Sequence, residues 1–123
     1  MIPALEKIRT TEEVFNSHRE AIETLNIDML MADYAEDALF VTENGSFVGR
    51  EAILTGFFQA MLAQFPDMKI NFGKITIEED LCLIQWTADA SAVVIPAGIG
   101  VLHIVDGMIQ RQVEWFQMVP KEE

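Results

Sequence analysis

From Met68 to Val119 the chain runs at strand period, and its strands are apolar on both parities. This pattern constrains the fold more than any other feature, because a strand with one wet face alternates cleanly and one covered on both faces does not. Between Leu81 and Ile95, the residues Cys82, Ile84, Trp86, Ala88 and Ala90 share one face. The opposite face (Leu81, Leu83, Gln85, Thr87, Asp89, Ser91, Val93) is mixed rather than polar. In the last strand, Met108 to Val119, strict alternation puts Ile109, Val113, Trp115 and Val119 on one side. Met108, Gln110, Gln112, Glu114, Phe116 and Met118 fall on the other. Helices can cover one face of such a sheet. The second is too apolar to be wholly wet, so the expectation is a homodimer packed sheet to sheet.

Turn residues divide the run. Met68, Ile70 and Phe72 share a parity that Ile75 and Ile77 leave, and a one-residue slip at Gly73 predicts a β-bulge. Glu78 to Asp80 reads as a turn, Pro96, Gly98 and Gly100 as a break, and Asp106-Gly107 as a hairpin turn. The first half is helical. Thr10 and Glu13 form a capping box ahead of Val14, Phe15, His18, Ala21, Ile22 and Leu25 at helical spacing. Asp28 can cap a short second helix that includes Met29, Leu30, Met31 and Tyr34. Ala38 to Glu43 reads as a strand turning back at Asn44-Gly45, and a third helix from Ile53 to Phe65 stops at Pro66. The predicted order is α-α-β-β-α-β-β-β-β.

With 123 residues, 50% of them hydrophobic and 23% charged, the chain reads as one globular domain spanning residues 1–123. Twenty Asp and Glu against eight Lys and Arg give a net charge of −12, and no basic block occurs. Nucleic acid and anionic membrane are therefore not expected partners. Cys82 is alone, so neither a disulfide framework nor a CxxC motif exists. Met1 to Arg9 lacks the pattern of a leader, and no apolar stretch approaches a membrane span, so the expected setting is cytoplasmic. His18 and His103 are the two histidines, with no HxxxH or HExxH pairing. No metal or cofactor is expected.

Three short segments carry a resemblance. Leu25 to Ala38, reading LNIDMLMADYAEDA, is similar to the "gDldallalyaeDa" stretch of the SnoaL-like branch of the NTF2-like superfamily. Gly49-Arg50-Glu51-Ala52-Ile53 resembles that family's G-x-x-x-I helix start. Asp106-Gly107-Met108-Ile109, followed by Glu114-Trp115, resembles its "dGkI" and downstream acid. Their order and spacing extend the likeness from about Glu12 to Gln117. The resemblance implies an α+β fold of the cystatin-like kind, a cone-shaped barrel. Three N-terminal helices pack there on a strongly bent, mostly antiparallel sheet, around an apolar pocket. The superfamily includes steroid isomerases, polyketide cyclases and scytalone dehydratase, so the fold alone does not set the chemistry.

By the same resemblance, Glu114 falls where SnoaL-type cyclases place the acid that moves a proton. A carboxyl group in an apolar cavity has its pKa raised toward neutrality and can take a proton from carbon beside a carbonyl. The residue pattern alone also allows Glu114 to lie with Gln110 and Gln112 on the wet face of an edge strand. His18 corresponds to an oxyanion-binding tyrosine of the steroid isomerases and could donate to an enolate. It could equally be a buried histidine bonded to a carbonyl. Thr42 and Leu102 stand where those isomerases carry their base and second acid, which argues against steroid isomerisation by that route. The expected pocket residues are Tyr34, Thr42, Phe58, Trp86, Leu102, Gln112 and Phe116 around Glu114 and His18. The expected function is proton transfer on a small apolar, carbonyl-bearing molecule. The alternative is a non-catalytic binding or dimerising module whose pocket is filled by methionines such as Met29, Met31, Met61, Met68, Met108 and Met118.

Overall fold

Thr10 opens the first helix with the expected reciprocal cap. Its hydroxyl accepts from the Glu13 backbone N–H at 3.1 Å, and the Glu13 carboxylate accepts from the Thr10 N–H at 2.9 Å. The computed structural model describes residues 8–122, so the reading of the first nine residues as leaderless lies largely outside it. Helix α1 (Thr11–Glu23) buries Val14, Phe15, His18 and Ala21. Helix α2 (Ile27–Ala32) is capped by Asn26 rather than Asp28, the Asn26 side chain accepting from Met29 N–H at 3.1 Å. Asn26 holds the extended conformation a cap needs, while Asp28 is already inside the first turn. No helix among the described residues is long and apolar enough to cross a membrane.

Tyr34, expected in the second helix, instead begins strand β1 (Tyr34–Thr42). Buried Asp33 sets that switch: its carboxylate accepts from Arg9 at 2.8 Å and Ser17 at 2.9 Å, and its carbonyl accepts from Ile109 N–H at 2.7 Å. The hairpin into β2 (Gly45–Val48) turns on Glu43 and Asn44, one residue earlier than expected. Gly45 already pairs with Thr42, whose hydroxyl accepts from Asn44 N–H and donates to Gly45 O, and Asn44 does not take a positive φ. The third helix runs as α3 (Arg50–Ile53), a π segment (Leu54–Gln59) and α4 (Ala60–Gln64). Gly56 explains a close approach here, since a Cβ would stand 2.5 Å from the Phe47 ring.

Strands β3 (Lys69–Glu78), β4 (Leu81–Asp89), β5 (Val93–Val105), β6 (Met108–Phe116) and β7 (Val119–Pro120) complete the molecule. The sheet order is β2-β1-β6-β5-β4-β3, with β7 pairing β5. Among the described residues only β1 and β6 pair in parallel; the other ladders are antiparallel. The bulge expected at Gly73 is present as a register shift between Phe72 and Ile75. Such irregularities bend a strand and increase its twist.

Two further sequence expectations are corrected. The chain turns at Ala90 to Ala92, where Ala90 N–H donates to Val93 O at 2.9 Å, and β5 passes straight through Pro96, Gly98 and Gly100. Pro96 escapes the ladder's demand for an N–H because the β4–β5 register shifts beside it, between the Trp86–Gly98 and Ala88–Ile95 pairs. The second correction concerns Ile109. An extra residue at Gln110 separates the His103–Arg111 pair from the Ile104–Ile109 pair. Ile109 therefore turns to the core, fully buried, while Val113 and Trp115 stay exposed. The main core unites α1, β1 and the inner faces of β4, β5 and β6 through Val14, Phe15, Tyr34, Phe40, Ile84, Leu102 and Ile109. A second cluster of Phe65, Ala90 and Val93 packs with Met61, Met68 and Met118.

Candidate active site

Between the helices and the inner sheet face lies an open cavity of about 470 Å³. His18, Ala21, Ile22 and Leu30 line it from the first two helices, and Phe57, Phe58 and Met61 from the third. The wide turn of the π segment helps two consecutive phenylalanines reach one wall. Ile84, Trp86, Gln112, Glu114 and Phe116 supply the sheet side, and the rim carries Glu23, Leu25, Asp67, Lys69 and Asn71. Its size falls within the range of small-molecule sites. Of the methionines that could have filled it, Met61 and Met68 reach the wall, and the space stays open.

Glu114 belongs to this wall because β6 is an interior strand, between β1 and β5. The wet edge-strand placement is thereby corrected: Glu114 is 8% exposed and Gln112 4%. Two donors hold the carboxylate. Trp86 Nε1–H donates to Oε1 at 3.0 Å, and Gln112 Nε2–H donates to Oε2 at 2.7 Å. Gln112 in turn accepts from the Tyr34 hydroxyl at 2.5 Å. Desolvation pushes the Glu114 pKa up from 4.5 to about 7, and the bonds from Gln112 and Trp86 oppose that rise. Near neutral pH the group can therefore act as acid or base.

Sequence reading missed what makes room for this arrangement. Gly100 pairs with Glu114 and Gly98 with Phe116 across the β5–β6 ladder. A Cβ at Gly100 would sit 2.4 Å from Glu114 Oε2, and one at Gly98 would sit 2.3 Å from the Trp86 ring. The two glycines are thus a floor under the acid and the indole. The available signal was their shared parity within a strand-length run, two residues apart.

His18 is 2% exposed on α1 and also lines the cavity. Its Nδ1 is buried and has no hydrogen-bond partner in the protein. Burial lowers its pKa from 6.5 to about 4, so the ring is neutral at physiological pH. It stands edge to face with Tyr34, ring centroids 6.1 Å apart. The carbonyl-bonded alternative therefore fails at this nitrogen.

The other expected residues divide. Phe58, Trp86, Gln112 and Phe116 line the cavity. Tyr34 and Leu102 do not, being wholly buried in the core beneath it. Thr42 does not either: its hydroxyl donates to Gly45 O at 3.1 Å and accepts from Asn44 N–H, which ties it to the hairpin turn. Cys82 is fully buried, and its thiol pKa is pushed up to about 11 by desolvation. His103 pairs with Asp80 at 2.9 Å, away from the cavity. Among the described residues no group of three or more His, Cys, Asp or Glu is arranged to hold a metal ion.

Solved structures share this architecture. An NTF2-like protein of unknown function from Cytophaga hutchinsonii matches with a TM-score of 0.73 and 18% identity, over 92% of this chain and 95% of that one. A candidate ketosteroid isomerase from Kribbella flavida matches with a TM-score of 0.73 and 12% identity, over 92% and 82%. A candidate polyketide cyclase from Sinorhizobium meliloti matches with a TM-score of 0.71 and 22% identity, over 82% and 92%. At these identities the likeness establishes the NTF2-like fold. No curated protein sequence matches the chain. The family model described as the SnoaL-like domain matches residues 15–112, and the chain belongs to that family.

Proposed function

We propose that this protein is an enzyme acting by proton transfer on a small, apolar, carbonyl-bearing molecule, of the cyclase, isomerase or dehydratase kind. The observation that carries this reading is Glu114, a buried carboxyl titrating near pH 7 on the wall of an open apolar cavity. The carboxylate takes a proton from the carbon beside the substrate carbonyl. The C–H bonding pair moves into the carbonyl system, leaving negative charge on oxygen. The neutral His18 ring, on the same cavity wall, offers a ring N–H to that oxygen. The enolate can then take the proton back at another carbon, close a ring on an electrophilic carbon, or expel a leaving group. Two of the structural neighbours are described as a candidate ketosteroid isomerase and a candidate polyketide cyclase, names consistent with this reading.

A thermal-shift screen against aromatic ketones and lactones should find a stabilising ligand. For such a ligand, exchange of the α-hydrogen for deuterium in D2O should be catalysed by the wild-type protein. Glu114→Gln should slow that exchange by about 100-fold or more, the usual contribution of a general base. Full exchange in the variant would overturn the reading. Binding without exchange would support the non-catalytic alternative.

The homodimer belongs to the same proposal. Leu83, Val101, Val113 and Val41 form one cross-strand row, and Ile99 and Trp115 a second, on the face turned away from the helices. Of these, Leu83 is 43% exposed and Trp115 52%. An apolar patch of this kind on a sheet suits a second copy of the chain.

A further inference from the structure

We infer that Tyr34 is a positioning residue for Glu114: its hydroxyl, donating to Gln112 Oε1, holds the Gln112 amide with its NH2 end toward the carboxylate. The inference rests on the reading of Glu114 as the group that moves the proton.

A glutamine amide has a donor end and an acceptor end of nearly the same shape, and its surroundings decide which way it points. An ionised Glu114 oxygen can only accept, so the Gln112 NH2 must face Oε2. The Gln112 carbonyl is then turned to Tyr34, which must donate. Tyr34 is suited to that fixed role. Its phenol is wholly buried, and desolvation, then the nearby Glu114 and Asp33 carboxylates, raise its pKa well above 10. It therefore keeps its proton at any pH at which the protein works.

The consequence reaches the carboxylate directly. Trp86 and Gln112 each occupy one lone pair, one on each oxygen, and a carboxylate has about four such sites. The remaining sites are left for a substrate proton. Without the Tyr34 hydroxyl, the amide is free to turn its carbonyl toward Glu114. A protonated Glu114 can then donate its O–H to that carbonyl, a bond that only the neutral form makes, and the pKa rises. The surrounding titratable and charged groups are few. His18 comes from α1, Tyr34 from β1, and Asp33, just before β1, is paired with Arg9, while Glu23, Asp67 and Lys69 stand exposed on the cavity rim. Trp86 on β4, Gly100 on β5 and Phe58 on the π segment bring no titratable group.

The test uses 15N-labelled protein without substrate. The indole N–H of Trp86, assigned with Trp86→Phe, and the Gln112 side-chain amide are followed against pH. In the wild type both should move together with a midpoint near 7. In Tyr34→Phe the Trp86 midpoint should rise by about one pH unit, the value of one charge-assisted hydrogen bond. A folded Tyr34→Phe protein with an unchanged midpoint would overturn the inference. Should that variant not fold, the wild-type Gln112 amide decides: resonances indifferent to the titration overturn it, and resonances that follow Glu114 support it. Coupled titrations in a protein that exchanges no substrate hydrogen would uphold the positioning role and count against the enzyme reading alone.

Discussion

Glu114 and His18 are both shifted by burial, and in opposite senses for stability. The folded state keeps the Glu114 proton up to about pH 7, whereas an unfolded chain releases it near 4.5. Stability from this group is therefore present at low pH and is lost as pH rises through that window. His18 behaves inversely. The unfolded chain protonates it near 6.5 and the folded state only near 4, so its contribution is lost as pH falls through that range. Where the windows overlap, the two slopes oppose each other. Urea unfolding at a series of pH values should separate them. The stability of Glu114→Gln relative to wild type should climb between pH 4.5 and 7. Each full excursion should be on the order of 3 kcal/mol. His18→Leu should gain against wild type as pH falls from 6.5 to 4. Flat difference curves would mean that neither group is as desolvated as its surroundings imply.

At the scale of elements, the cavity mouth is framed by the end of α1. That helix closes with a Schellman motif, Asn26 N–H donating to Ala21 O at 2.9 Å and Leu25 N–H to Ile22 O at 3.2 Å. The left-handed position in that motif, φ 54°, is held by Leu25, where glycine is usual. Leu25 is 56% exposed and forms part of the cavity rim, so its strained placement sets an apolar side chain at the entrance. Leu25→Gly should raise stability by up to about 1 kcal/mol, since relief of the left-handed strain exceeds the entropy glycine adds to the unfolded chain. Chemical denaturation checks the first effect. Weaker binding of any pocket ligand in the same variant would show that the rim leucine covers it.

For the whole molecule, the same bent sheet presents a cavity on one face and apolar cross-strand rows on the other. Those rows cross β1, β6, β5 and β4, the four central strands, so a partner packed there stiffens the floor that carries Trp86 and Glu114. The wild-type protein should sediment as a dimer. Val113→Lys, placing a charge at the centre of the rows, should shift it to monomer, while the far-UV circular dichroism stays unchanged. A wild-type monomer at high concentration would remove the dimer proposal. A net charge of −12 sets copies of the chain against each other, so a dimer through the apolar rows should tighten as salt is raised.

Local chemistry made a good part of this legible. The Thr10–Glu13 box, the Asp106-Gly107 turn, the slip at Gly73 and the inward face of β4 each depend on residues a few positions apart. Periodicity and turn preference operate over that distance. The resemblance carried by Leu25 to Ala38, Gly49 to Ile53 and Asp106 to Trp115 extended this to the family, the fold and the choice of Glu114 and His18. What the sequence left open needed strands far apart in the chain. Glu114 is buried because β1 lies in parallel beside β6, a pairing that no local pattern encodes. Ile109 reaches the core because one extra residue at Gln110 flips the parity of everything before it. Gly98 and Gly100 read as breakers in isolation. They become a floor only when β4 and β6 lay an indole and a carboxyl group across them. Sequence by itself determined which residues could carry a proton. The tertiary structure decided that Asp33 is buried against Arg9 and Glu114 is buried on a cavity wall with no cation beside it among the described residues, because desolvation is a property of the assembled walls and not of the residue.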